Sequence, residues 1–195
     1  MKYYIKSSWI PLLYMFFQSG LCIAIFDIGI KTLGLVLLAL NTAIFIFTIC
    51  VFAFKNGESS YKELLLNDVQ RRIIVETGED RPLNLKEEYA PYKAVVLGLF
   101  PLIPLFLFML IHFIVFIAGG EYLGMGSLAV FMYKCPYAFF EYLGYKLTMG
   151  NSFLTLLSVP VVFFPIFISY NLGARKTRII NAKIEEERKY LYGEK

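Results

Sequence analysis

Half of this chain lies in four stretches that carry no charged residue: Ser7–Phe26, Thr32–Phe54, Ala94–Gly120 and Leu147–Ala174. Crossing the ~30 Å hydrocarbon core of a bilayer takes about 20 residues of helix, and each stretch is long enough. In lipid the backbone must satisfy its own hydrogen bonds, which leaves helices as the form such stretches take. The expected fold class is an all-α integral membrane protein with four transmembrane helices, at about 9–27, 32–54, 94–118 and 152–172. The segments between them are too short for a soluble core of their own, so residues 1–195 read as one polytopic membrane domain.

Composition agrees. The chain is 58% hydrophobic and 17% charged, with a mean hydropathy of +0.62, against roughly 25% charged residues in a soluble domain. Many of its 14 tyrosines sit near the ends of the expected spans, where amphipathic rings prefer the headgroup region. The net charge of +4 is not a nucleic-acid signature, because the basic residues flank spans, where orientation explains them.

Those basic residues are unevenly shared. The N-terminus, the 55–93 loop and the 173–195 tail hold sixteen Lys and Arg, and the remaining connections hold three, Lys31, Lys134 and Lys146. Four spans with both termini cytoplasmic place all sixteen on one face, as the positive-inside rule requires. The expected location is the cell membrane. The first stretch resembles a secretory signal, with Lys2 and Lys6 ahead of it, but its apolar run exceeds the ~7–15 residues of a signal core. Leu21 before Cys22 also argues against a lipoprotein site. It is read as a retained helix.

Within the 119–150 connection, Glu121–Lys146 is apolar enough to raise the question of a fifth span at 125–146. Lys134 and Pro136 fall at the middle, and a charge at mid-bilayer costs at least about 2.5–3.5 kcal/mol. An interfacial or re-entrant segment on the outer face is expected instead.

The first two spans are joined by Asp27-Ile28-Gly29-Ile30-Lys31, a tight turn that makes an antiparallel hairpin. Counted outward from that turn, Gln18 and Asn41 fall at matched depth and are expected to meet. Gly20 and Ala24, with Ala39 and Ala43, are expected to let the two backbones approach closely. In the 55–93 loop, Ser60-Tyr61-Lys62-Glu63 reads as a capping box that starts a separate cytoplasmic helix. Leu65, Leu66, Val69 and Ile73 give that helix one apolar flank, expected to dock within the protein, and Thr77-Gly78 stops it. Pro101 and Pro104 in the third span, and Pro160 and Pro165 near the middle of the fourth, are expected to kink or unwind their helices. Arg175, Lys176 and Arg178 form a membrane-surface anchor where the fourth span leaves the lipid. From there the helix is expected to continue into the tail.

Chemistry is sparse. His112 is the one histidine, in the outer half of the third span, with Asp27 and Glu121 nearest in depth. Cys22, Cys50 and Cys135 have no paired spacing, so neither a disulfide framework nor a metal site is implied. There is no nucleophile elbow and no phosphate-binding glycine loop. No cofactor and no enzymatic activity are expected. The polar residues within spans that would mark a pathway are Gln18, Asn41 and His112, together with Pro160 and Pro165. The reading with the most support is a non-enzymatic accessory or regulatory subunit that works through a protein partner or self-association. The alternative is a small oligomeric transporter or channel using proline-broken third and fourth helices.

Overall fold

The computed structural model describes residues 2–28, 31–78, 82–85, 87–119, 125–142 and 155–193. It is all-helical, with no strand among the described residues, and four of its helical stretches are long and apolar enough to cross a membrane. The first is α1 (Lys2–Phe26) and the second α2 (Lys31–Thr77). The third is split into α3 (Pro91–Leu99) and α4 (Ile103–Ile117), joined by a 3₁₀ turn at Phe100–Leu102. Two short helices follow, α5 (Met125–Met132) and α6 (Lys134–Tyr142), and then α7 (Ser158–Tyr192).

The break in the third span has a local cause. Pro101 and Pro104 lack the N–H groups that would bond the carbonyls of residues 97 and 100. The Ile103 N–H instead bonds the Phe100 carbonyl three residues back. Pro91 occupies the first turn of α3 after an extended Ala90, where its missing N–H costs nothing. The fourth span behaves differently from expectation. Pro160 lies in the first turn of α7 rather than near a midpoint, and the helix runs unbroken through Pro165.

α1 and α2 are antiparallel: Gln18 meets Asn41, and Tyr14 meets Thr48. The close approach expected of Gly20 and Ala24 with Ala39 and Ala43 does not occur. A Cβ on Gly20 would meet nothing within 4 Å, and Ala39 and Ala43 are exposed. The tight crossing is elsewhere, between α2 and α7. A Cβ on Gly57 would stand 1.9 Å from the Tyr170 carbonyl oxygen, and one on Gly173 would stand 2.0 Å from that of Phe54. Each glycine thus admits the other helix's backbone.

That crossing explains a second departure. The separate helix capped by Ser60 and Glu63 does not exist, because α2 is continuous for 47 residues from Lys31 to Thr77. Asn56-Gly57-Glu58 looks like a breaker in sequence, but α7 packs on Gly57 and holds the helix through it. The stop is where expected, at Gly78, whose φ is +72° and whose N–H bonds the Ile74 carbonyl.

The contacts Cys50–Pro165, Gly57–Tyr170 and Glu58–Lys176 climb in the same order on both helices. α2 and α7 are therefore parallel, and their C-terminal ends project from the same end of the bundle. Many large apolar side chains face outward, including Phe17, Leu40, Phe47, Leu110 and Phe164, as a lipid-facing surface requires.

Candidate functional site

Two polar clusters stand out against this apolar frame. The first is built around the α5–α6 hairpin. Residue 142 lies against Phe26 and Gly34, near the paired ends of α1 and α2. Residues 132–135 lie deeper, level with Ser19, Cys22 and Asn41. Asn41 is ten residues into α2, or about 15 Å along its axis. The tip of the hairpin is thus pinned among the long helices, and polar partners for it come from all four.

From α1, the Ser19 hydroxyl donates to the Met132 carbonyl at 3.0 Å and accepts from the Cys135 N–H at 3.1 Å. From the third span, the Pro101 carbonyl accepts from the Tyr133 hydroxyl. Tyr133 thus bonds the third span at its 3₁₀ break. From α7, the Ser158 hydroxyl donates to the Tyr133 carbonyl at 3.3 Å. From α2, Asn41 Nδ2 donates to the Gln18 carbonyl at 3.1 Å and lies 3.1 Å from the Cys22 sulfur and 3.7 Å from that of Cys135. Lys134 does not sit bare at this depth. Its ammonium pairs with Glu141 at 3.3 Å and lies 4.5 Å from the Phe26 ring centroid.

Gln18 and Asn41 therefore do meet, through a side chain and a backbone carbonyl rather than amide to amide. Gln18 Nε2 turns instead to the Tyr14 hydroxyl at 2.7 Å. His112 is buried on α4. Its suggested partner Glu121 lies outside the described residues. Pro165 offers its carbonyl toward Cys50, 4.0 Å from the sulfur. A void lined by Pro11, Ile49, Ala53, Asn56, Leu97 and Ile166 measures about 10 Å³, too small to pass a solute.

The second cluster lies beside the α2–α7 glycine crossing. Residues 82–85 and 87–90 lie against α2. Asn67, only 1% exposed, donates to Glu88 at 3.1 Å and accepts from the Asn84 N–H at 3.2 Å. Arg71 bridges Asp68 at 2.7 Å and Glu88 at 2.8 Å. The Tyr89 N–H bonds the Ser60 carbonyl, its hydroxyl donates to Asn171 at 2.9 Å, and its ring stacks on Tyr170. Burial, and the neighbouring Tyr61, raise the Tyr89 hydroxyl above its ordinary pKa. The α2 extension docks through this polar face. The apolar flank expected to be covered is covered only in part: Leu65 and Ile73 are half-buried, and Leu66 and Val69 are exposed.

Of the three anchor cations, Lys176 is held by Glu58 at 2.7 Å, with the Phe54 ring beside it. Arg175 and Arg178 are exposed. Sequence reasoning missed Tyr133, the Cys22–Cys135 approach and the Tyr89 latch. All three join residues far apart in the chain, and no local spacing announces them. Comparison with known protein families, with curated proteins and with solved structures yields no match.

Proposed function

We propose that this is a multi-pass protein of the cell membrane with both termini in the cytoplasm. It serves as a non-enzymatic accessory or regulatory subunit acting through protein contacts. One observation carries this reading. Past their crossing, α2 and α7 continue as two parallel rods with apolar side chains left uncovered. Leu66 and Val69 are more than half exposed on α2, and Ile179, Ile180 and Ile184 are exposed on α7. These lie beyond the expected spans, where lipid would not cover them, and among charged residues suited to water. Uncovered apolar side chains in such a place are what a partner buries.

The test is photo-crosslinking in native membranes, with a crosslinking residue placed at 66, 69, 180 or 184. A discrete adduct from these positions, absent when the probe is moved to exposed Lys62, supports the reading. Absence of adducts from all four sinks it.

A transporter or channel is the second reading, favoured by the 3₁₀ break at Pro101 beside the polar hairpin tip. Solute flux in liposomes that is lost in His112→Ala would support it over the first.

A further inference from the structure

Cys22 and Cys135 are free thiols on different helices, both fully buried. The single amide nitrogen of Asn41 lies within reach of both sulfurs, at 3.1 and 3.7 Å. The approach is fixed by bonds that do not involve sulfur. Ser19 ties the Met132 carbonyl and the Cys135 N–H to α1, one turn from Cys22. The thiolate is the nucleophilic form of cysteine. As mere filling, two small apolar side chains would serve as well, without turning a buried amide toward them.

We propose that Cys22 and Cys135 are an oxidisable pair that a small hydroperoxide closes into a disulfide, tying the α5–α6 hairpin to α1. The Cys22 thiolate attacks one peroxide oxygen and the O–O bond breaks. Cys22 becomes a sulfenic acid, and the leaving alkoxide takes up the thiol proton and departs as the alcohol. The Cys135 sulfur then attacks the sulfenyl sulfur. The S–S bond forms as the S–O bond breaks, and the hydroxyl leaves with the Cys135 proton as water. Two thiols supply the two electrons that the hydroperoxide accepts. A small neutral oxidant reaches the site through the bilayer during local opening of the hairpin, so closure is slow and its rate reports that opening. Cys50 serves as an internal control. It is nine residues from Asn41 along α2, about 14 Å away, and faces the Pro165 carbonyl. The inference is independent of whether the chain is an accessory subunit.

The experiment uses the full-length protein in phosphatidylcholine vesicles treated with tert-butyl hydroperoxide. Unfolding, alkylation with N-ethylmaleimide and peptide mass spectrometry without reduction then follow. The expected result is a Cys22–Cys135 linked peptide and loss of two of the three alkylatable thiols, both reversed by dithiothreitol. Cys22→Ser and Cys135→Ser should each abolish the linked peptide. On unaltered protein, phenylarsine oxide, which bridges two neighbouring thiols, should protect both from maleimide and leave Cys50 reactive. Three alkylatable thiols after oxidation, a disulfide only through Cys50, or no protection by the arsenical would each overturn the proposal.

Discussion

Gly57 and Gly173 are the residues on which the arrangement of the long helices turns. Each would place a Cβ about 2 Å from a carbonyl oxygen of the facing helix, and that oxygen belongs to a backbone, which cannot rotate away. Gly57→Ala is therefore expected to force α2 and α7 apart and to lower stability by about 1–3 kcal/mol, the usual range for overpacking. Gly20→Ala is expected to be tolerated, because its Cβ would enter open space and Ala is the better helix former by about 1 kcal/mol. Thermal unfolding of the two variants in the same detergent separates them. A Gly57→Ala protein as stable as the parent would show that the crossing is looser than described here. In sequence, Gly20 stands out as a packing position and Gly57 falls within the 55–93 loop. Gly20 sits in an apolar run and looks like a packing position. Gly57 sits in Asn-Gly-Glu-Ser-Ser and looks like a loop. What makes Gly57 a packing residue is Tyr170, more than a hundred positions away, and no local pattern contains that information. The Gln18–Asn41 pairing was legible because a tight turn fixes the register of a hairpin.

At the scale of elements, apolar length located all four long helices, and the prolines located the break in the third. Length was a sufficient guide because lipid leaves the backbone few alternatives. The extension of α2 was misread for a definable reason: Ser60 and Glu63 stand at capping-box spacing, yet a cap is needed only where a helix begins. In α2 the Ser60 side chain is buried and its carbonyl receives the Tyr89 N–H. The two readings differ in a measurable distance. Spin labels at positions 55 and 75 should lie about 30 Å apart if the helix is continuous, at 1.5 Å per residue. A helix that ends at Asn56 and restarts at Ser60 would bend there and shorten the distance, or broaden its distribution. A narrow distribution near 30 Å that persists when Glu63 is changed to Ala would fit the continuous helix. Collapse of that distance in Glu63→Ala would restore the capping box.

For the whole molecule, the parallel course of α2 and α7 bears on orientation. A chain that crosses the bilayer once between two parallel helices must have an odd number of crossings there, and α3 with α4 supplies one. A further crossing by residues 125–142 would make α2 and α7 antiparallel, contrary to their ordered contacts. The hairpin is also short. α5 has 8 residues and α6 has 9, about 12–14 Å each, well under the ~30 Å of the hydrocarbon core. With residue 142 near the α1–α2 turn and residue 133 beside Pro101, the hairpin suits a re-entrant segment that dips in and returns. The expectation of an interfacial or re-entrant segment rests on the charge on Lys134, and the Glu141 and Phe26 contacts give that charge partners. The proposed orientation, with the 55–93 loop and the tail in the cytoplasm, rests on the positive-inside bias of the sequence. Single cysteines introduced at positions 83 and 195, probed with a membrane-impermeant maleimide on intact cells, should both be protected and should both become reactive on lysis. Labelling of position 195 alone on intact cells would require a fifth crossing and would contradict the parallel packing of α2 and α7. Labelling of both would leave that packing intact but reverse the molecule in the membrane, moving the uncovered apolar residues of α2 and α7, and any partner they bind, to the outside.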